Sequence, residues 1–422
     1  MASITRTPAM SGGGDVGLWE SLRKGVRASG LPWLFIAPSL IVMLFITFYP
    51  QFQQIRMSFL DFTNVHLTGQ VEAPYIGLEN YRRVLNDGLN IANYRFFPLL
   101  GFNIVWTLIN VFLHVTIGLA VALALNAEHV LGRRIYRALF VLPWALPGYI
   151  TALVWNNMWQ QNGGGVNLLL RSFNEQFGTT FTTNINWLND TTPPIDLRPI
   201  IPYAIIIICG LVAVWLVVRF ARMGMTDAKT GQVSISRLIW TFLGVLLLGA
   251  AALGTLLDLT SGRGAGSNAV IQLFDRAGAP TLAFYAVLMA NVWLGWPFMM
   301  VVATGALQSI PPDLYEAADV DGASKWKQFV QITLPLLRPA MVPAIMLGTI
   351  WTFNQFNVIF FITGGGPRGQ TNLLITQAYI MIQQDQLYGA AAAFSIIVFF
   401  ILLVITLIQN RITRATKSFD EA

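Results

Sequence analysis

The chain is 422 residues long, 55% hydrophobic and only 11% charged, which excludes an ordinary water-soluble globule and fits a polytopic membrane protein. Its net charge of +6 does not indicate nucleic acid, because Lys and Arg cluster in short segments beside apolar runs, where cytosolic loops carry them. The single cysteine, Cys209, lies inside an apolar run and excludes an intrachain disulfide, and three histidines leave little from which to build a zinc site.

In chain order, residues 1–32 read as a polar cytosolic leader containing the glycine-rich "SGGGD". Within it, "GLWESLRKGVRAS" (Gly17 to Ser29) sets Leu18, Trp19, Leu22 and Val26 on one helical face and bases on the other. That pattern suits a helix lying on the membrane surface; a plain basic flank is the alternative. No small-residue cleavage site comes after the first apolar run, so the first span is expected to be retained. A helix crosses the hydrocarbon core in about 20 apolar residues because its backbone must satisfy its own hydrogen bonds there. Eight segments qualify: 33–50, 100–125, 139–159, 200–218, 238–257, 282–307, 340–362 and 389–409.

Arg23, Lys24 and Arg27 precede the first span and set the N-terminus in the cytosol. Counting on, the inside segments carry Arg133, Arg134 and Arg137, then Arg219, Arg222, Lys229 and Arg237, then Lys325, Lys327 and Arg338, and finally Arg411, Arg414 and Lys417. The alternation closes without conflict, so both termini are expected inside. Residues 51–99, with "YIGLENYRRVL", form a packed external excursion.

Between the sixth and seventh spans lies an acidic knot, "LYEAADVDGAS" (Leu314 to Ser324), with Glu316, Asp319 and Asp321 close together and Asp313 just ahead. Pro311 and Pro312 suit a helix start, Gly322 suits its end in a left-handed conformation, and a second short helix is expected from about Ala323 to Leu337, broken by Pro335 and Pro339. The result is a rigid cytosolic projection whose alanines admit a close partner and whose carboxylates suit a partner's arginines. A loop helix with its acids simply facing water is the plainer alternative. A metal site is disfavoured, because successive helical turns do not converge these carboxylates.

"IPPDLYEAADVDGASKWKQFVQITLPLLRPA" resembles the EAA loop of permease subunits in ATP-binding-cassette importers, especially those of carbohydrate uptake. The match includes Glu316, Ala317 and Ala318, then Asp321, Gly322 and Ala323, with Phe329, Leu334 and Pro335 at the family's spacing. "LFIAPSLIVMLFITFYP", "RALFVLPWALPGYI", "NVWLGWPFMM" and "FNQFNVIFFITGGGP" agree with it, so the resemblance covers most of the chain from Trp33 to Lys417 and is nearest to the larger permease of maltose or maltodextrin importers. It implies an all-α, six-span type I importer permease core in a bacterial cytoplasmic membrane. By the resemblance, the acidic loop (309–339) is the coupling helix: Glu316 faces a basic side chain of an ATPase subunit and Gly322 forms the bend. The implied partners are an ATPase dimer, a second permease, and a soluble or lipid-anchored sugar-binding protein. ATP and Mg would be held by the ATPase. This chain has no G-x-x-x-x-G-K-[ST], so it carries no cofactor of its own and is expected to be non-catalytic.

The family core has six spans and this chain reads as about eight. The extra two, with the connector "RFARMGMTDAKTGQVSISR", form a hairpin inserted at 193–280. A hairpin preserves the parity of the later spans, so the core divides into residues 33–192 and 281–410, with a cytosolic tail at 411–422. Neither apolar stretch of the hairpin holds an acid or base, and a peripheral, lipid-facing role is expected over a regulatory one.

Sugars need hydroxyl-directed hydrogen bonds and aromatic faces, and polar groups inside spans usually face an interior cavity. In "ANVWLGWPFMM", Asn291, Gly295 and Phe298 share a helical face, and in "GTIWTFNQFNVIFF" Gly348, Thr352 and Gln355 do the same. The resemblance places Asn291, Leu294, Gly295, Phe298, Gly348, Thr352 and Gln355 where the family contacts sugar. Gly348, Thr352 and Gln355 differ from the serine and asparagines expected there, which leaves the sugar open among maltodextrin, trehalose, another glycoside or glycerol phosphate. Interhelical glue is the alternative role for these amides, and His114 reads as a packed polar residue. "TGGGPRGQ" is expected to form a tight external turn. An ion-coupled secondary transporter would need carboxylates at mid-span, and none lies there.

Overall fold

The apolar runs fold as long helices in the computed structural model, which describes residues 30–127, 130–227, 244–246, 248–256 and 273–414. The surface helix expected at 17–29, most of the hairpin connector and the end of the tail lie outside the described residues. Helix α1 runs over Gly30–Met43, through a wide turn at Leu44–Phe48, and on over Tyr49–Ser58. It therefore continues eight residues beyond the predicted end of the first span. The wide turn lies just ahead of Pro50, which can give no N–H to the preceding turn. The most apolar stretch within Phe35–Ser58 holds no buried residue, while the Tyr49–Ser58 part packs against the last helix and ends on the buried Ser58.

The 51–99 segment expected to be an external excursion is packed. Asn80 donates from Nδ2 to the carbonyls of Ser58 (3.0 Å) and Leu60 (2.8 Å), and Leu60 pairs antiparallel with Tyr75. Helix α2 (Glu79–Leu85) is held from the other side by Tyr94, whose hydroxyl donates to the Val84 carbonyl at 2.9 Å. Asp87 then accepts from the Phe96 N–H at 2.8 Å, satisfying one of the free donors at the start of α3 (Phe96–Asn126).

The predicted third span is not one straight helix. It comprises α4 (Arg133–Ala145) and α5 (Gly148–Met158), bent by 89° at the break. The cause is local: Leu146, the residue before Pro147, sits at φ −79°, ψ 141°, the extended conformation that proline imposes on its predecessor. Helix α6 (Gly165–Phe177) belongs to a second segment between spans, anchored by Asn167, which donates to Gln161 and Ile185 and accepts from Trp187.

Helix α7 (Ile201–Asp227) falls on the first arm of the expected hairpin, and an apolar helix at Gly244–Leu256 covers part of the expected second arm. Six helices among the described residues are long and apolar enough to cross a membrane, or seven with the bent pair counted as one span. The Leu197 N–H donates to the Gly278 carbonyl at 2.7 Å, so the two ends of the insertion meet.

Helix α8 (Leu282–Gln308) packs along α3. Their matching faces step by four residues, Phe102, Trp106, Asn110, His114, Gly118 and Ala122 against Val287, Asn291, Gly295, Met299 and Ala303. Gly118 permits the approach, since a Cβ there would lie 2.7 Å from the Met299 side chain and the Met300 nitrogen. Apolar residues fill both ends of this seam. Phe102, Trp106, Phe284 and Val287 lie in one buried cluster, and Ala122, Met299, Met300, Leu307 and Met341 lie in another. The polar residues are left between them.

After the loop helix α9 (Asp313–Val320), helix α10 starts at Lys325–Gln328, passes a wide turn at Phe329–Thr333 and continues over Leu334–Phe353. Pro335 and Pro339 were expected to break it and do not. The wide turn bonds the Leu334 N–H to the Phe329 carbonyl, shifting the ladder just ahead of Pro335 and removing the demand for its missing donor. A break does occur later, at residues 354–356, before α11 (Asn357–Thr363). Helices α12 (Leu374–Gln383) and α13 (Tyr388–Arg414) complete the chain. Asn103 locks this end, donating to the Phe353 carbonyl (3.2 Å) and accepting from the Leu374 N–H (2.8 Å).

Candidate functional site

All seven residues proposed from sequence to meet a substrate, Asn291, Leu294, Gly295, Phe298, Gly348, Thr352 and Gln355, line one cavity of about 280 Å³. It opens where α3, α8 and α10 meet the break between α4 and α5, so Trp144, Leu146 and Gly148 contribute as well. Gln355 reaches it from the non-helical segment after Phe353, and the single helical face expected for Gly348, Thr352 and Gln355 is corrected accordingly. Asn354 closes that helix end, donating to the Ile350 carbonyl at 3.3 Å. Broken helices at mid-span are tolerated where they line such a cavity.

One wall is aromatic. Phe298 lies with its ring centroid 5.9 Å from Trp144 and 5.4 Å from Trp351, and Trp144 and Trp351 are exposed. A chain of neutral amides also reaches the cavity through Asn291 and Gln355. Gln355 Nε2 donates to Asn291 Oδ1 (2.7 Å), Asn291 Nδ2 to Asn110 Oδ1 (2.7 Å), and Asn110 Nδ2 to the Trp106 carbonyl (2.8 Å). His114, one turn beyond Asn110, hydrogen-bonds through Nε2 to the Asn291 carbonyl at 3.1 Å. Its ring lies against Gly295, where a Cβ would fall 2.2 Å from the imidazole. Gly295 is therefore a packing requirement. Gly348 faces the flexible end of Met299, 2.6 Å from where its Cβ would be. No Lys, Arg, Asp or Glu lines the cavity, and among the described residues no three His, Cys, Asp or Glu side chains gather as a metal site would need.

The second candidate region is the loop. Helix α9 starts after Pro312 and ends as expected at Gly322, whose φ is +71°. The Ala323 N–H bonds the Ala318 carbonyl (2.9 Å) and the Gly322 N–H that of Asp319 (3.1 Å), a left-handed helix stop that glycine adopts at little cost. Ser324 then caps α10 by accepting from the Lys327 N–H at 3.3 Å. Glu316, Ala317, Asp321 and Gly322 are exposed and Ala318 and Ala323 half-buried, with Val320 88% and Trp326 72% exposed beside them.

Asp319 does something else. It takes Lys325 Nζ at 3.0 Å and the Gln328 amide, while Gln328 also donates to the Ala323 carbonyl at 3.1 Å. Lys325 and then Gln328 hold its carboxyl below the usual carboxylate range. Tyr315 bonds Thr333 at 2.8 Å, fixing α9 to the base of α10. The sequence reading missed Asp319 as a clasp, and it missed Trp144 and Trp351 at the cavity and Asn110 buried behind Asn291. A signal existed for one pair: Asn110 and His114 are four apart, on one face of an uncharged, mostly apolar span.

An all-α polytopic membrane protein with a neutral polar cavity between its spans and a rigid loop of short helices is a transport permease. The family model described as "Binding-protein-dependent transport system inner membrane component" matches residues 114–418, and the chain belongs to that family. Its members are non-catalytic, multi-pass components of the inner membrane.

Relatives include the galactooligosaccharides transport system permease protein of Bacillus subtilis, 27% identical over 402 residues, covering 94% of this chain and 72% of the relative. The maltodextrin transport system permease protein of Streptococcus pneumoniae is 26% identical, with 92% and 70% covered. The trehalose/maltose transport system permease protein of Thermococcus litoralis is 28% identical, with 92% and 95% covered. A solved bacterial ABC transporter involved in importing the acidic polysaccharide alginate shares the fold, with a TM-score of 0.60 at 17% identity over 94% of this chain and 99% of that one.

Proposed function

We propose that this chain is the permease subunit of an ATP-driven sugar importer. With a second permease, a different chain, it forms an alternating-access path for an oligosaccharide, a maltodextrin-like one being favoured. The observation that carries the reading is a cavity lined by both aromatic rings and neutral amides. A pyranose has an apolar ring face and a rim of hydroxyls, and it needs both kinds of surface without a charge.

In this reading a soluble or lipid-anchored binding protein delivers the sugar on the outer side. ATP and Mg are bound by a separate ATPase dimer, and Glu316, Ala317, Ala318, Asp321, Gly322 and Ala323 seat the loop in a cleft of that ATPase. The projection's exposed apolar residues, Val320 and Trp326, support a protein partner, and its internal clasp supports force transmission, since a floppy loop would absorb a pull. Both termini lie in the cytosol, and the 193–280 hairpin packs at the lipid-facing periphery. Galacto-oligosaccharides and trehalose, named for two of the relatives, are the alternative cargoes.

Uptake of radiolabelled maltotriose into proteoliposomes holding the assembled importer is the test. Glu316→Lys is expected to abolish uptake by uncoupling it from ATP hydrolysis, with membrane insertion retained. Thr352→Ala should lower uptake severalfold, one to two hydrogen bonds' worth, with the ATPase still co-purifying. Wild-type uptake in the Glu316 variant would sink the coupling assignment.

A further inference from the structure

The hydrogen-bond directions around the cavity carry more than its outline. A main-chain carbonyl only accepts, so Asn110 must turn its Nδ2 toward the Trp106 carbonyl and its Oδ1 toward Asn291. That choice fixes the next one. Asn291 uses one Nδ2 hydrogen on Asn110 and turns its Oδ1 to Gln355, which uses one Nε2 hydrogen in turn. The amide at the open end keeps its Oε1, together with its second Nε2 hydrogen, for the cavity that Gln355 lines. The same logic applies to the imidazole: the Asn291 carbonyl can only accept, so His114 Nε2 carries the proton. The uncharged ring that a membrane interior favours then presents Nδ1 as a bare lone pair. Two independent main-chain carbonyls, of Trp106 and Asn291, thus fix which way the amides and the imidazole are turned.

Resting on the reading of the chain as a sugar permease, we infer that His114 Nδ1 and Gln355 Oε1 are paired hydroxyl acceptors that restrict this cavity to neutral sugars, with Asn110 and Asn291 as positioning residues. Sugar hydroxyls donate to both acceptors while the ring face rests on Phe298, Trp144 and Trp351. A uronate carboxylate brings lone pairs to lone pairs, and no lining cation offsets them. The cavity accordingly differs in kind from one made for an acidic polysaccharide, although the fold is shared with an alginate importer.

The test is equilibrium binding to the assembled importer, purified without its binding protein so that selectivity belongs to the permease. Binding is followed by quenching of tryptophan fluorescence. The probes are maltotriose, trehalose, a galactotriose and an alginate trimer. Wild type is expected to bind at least one neutral sugar and not the uronate.

His114→Gln keeps a donor in reach of the Asn291 carbonyl but removes the Nδ1 acceptor, and should weaken binding about tenfold, the loss of one good hydrogen bond. Among monodeoxy analogues of the bound sugar, one should bind wild type and His114→Gln equally, because the hydroxyl that met Nδ1 is already gone. A purely structural His114 would weaken every analogue by the same factor, and that result overturns the inference. So would tighter binding of the alginate trimer than of the neutral sugars. Binding of none of the four probes by wild type would overturn the sugar-permease reading itself, an outcome distinct from the other two.

Discussion

Gly295 stands beside the cavity, as a substrate contact would, yet its lack of a Cβ is what lets the His114 ring lie against α8. Gly295→Ala is expected to cost about 1–3 kcal/mol through overpacking, read as a lowered unfolding midpoint of the solubilised chain. The clash has a named partner, so His114→Ala in the same chain should recover part of that loss. Additive effects of the two changes would show that the contact is not the cause. Asn291 has a comparable double duty: its side chain relays the amides while its main-chain carbonyl orients the imidazole.

At the level of elements, the loop between α8 and α10 works as a hinge locked by a side chain. The left-handed stop at Gly322 sets the angle, and Asp319 ties the two helices together through Lys325 and Gln328. Because the Asp319 pKa is depressed by those bonds, its contribution is present at neutral pH and is lost in acid, as pH falls below the ordinary carboxylate range and through the lower folded-state value. Asp319→Asn removes the charge at every pH. Amide hydrogen exchange of Gly322 and Ala323 should then be severalfold faster than wild type at pH 7, with the difference narrowing in acid. Equal protection at pH 7 would show that the helix stop holds the bend unaided. The two span breaks are also element-level devices. Leu146–Pro147 and residues 354–356 interrupt their helices where the cavity needs side chains from more than one direction.

For the molecule as a whole, the segment 193–280 is the one expected from sequence to be a hairpin added to a six-span core. The Leu197 to Gly278 hydrogen bond brings its two ends together, which favours rejoining residues 192 and 281 through a short linker. A chain lacking 193–280 is expected to insert and assemble with its partners, measured by membrane fractionation and co-purification of the ATPase. Failure of the α3–α8 core to insert would assign the hairpin a structural role in place of a peripheral one. The nearly unburied first span is the other whole-molecule feature, since it sits outside the packing that unites α3, α8 and α10.

Sequence alone determined where the apolar spans lie, because a hydrocarbon core demands about twenty apolar residues and little else. It set their expected alternation, because bases avoid translocation, and it determined the loop's bend, because only glycine adopts φ +71° cheaply. It also named the seven residues that converge on one cavity. Helix periodicity served less well for Gln355, which stands beyond the end of α10, and the prolines misled at Pro335 and Pro339, because a wide turn absorbed the first. What only the tertiary structure decided was partnership: Asn110 with Asn291, His114 with Gly295, Asp319 with Lys325, and Trp144 with Phe298. Hydropathy and spacing describe how a residue meets its own helix and the lipid. The direction of a hydrogen bond or the gap left by a missing Cβ depends on the neighbouring element, which no local pattern encodes.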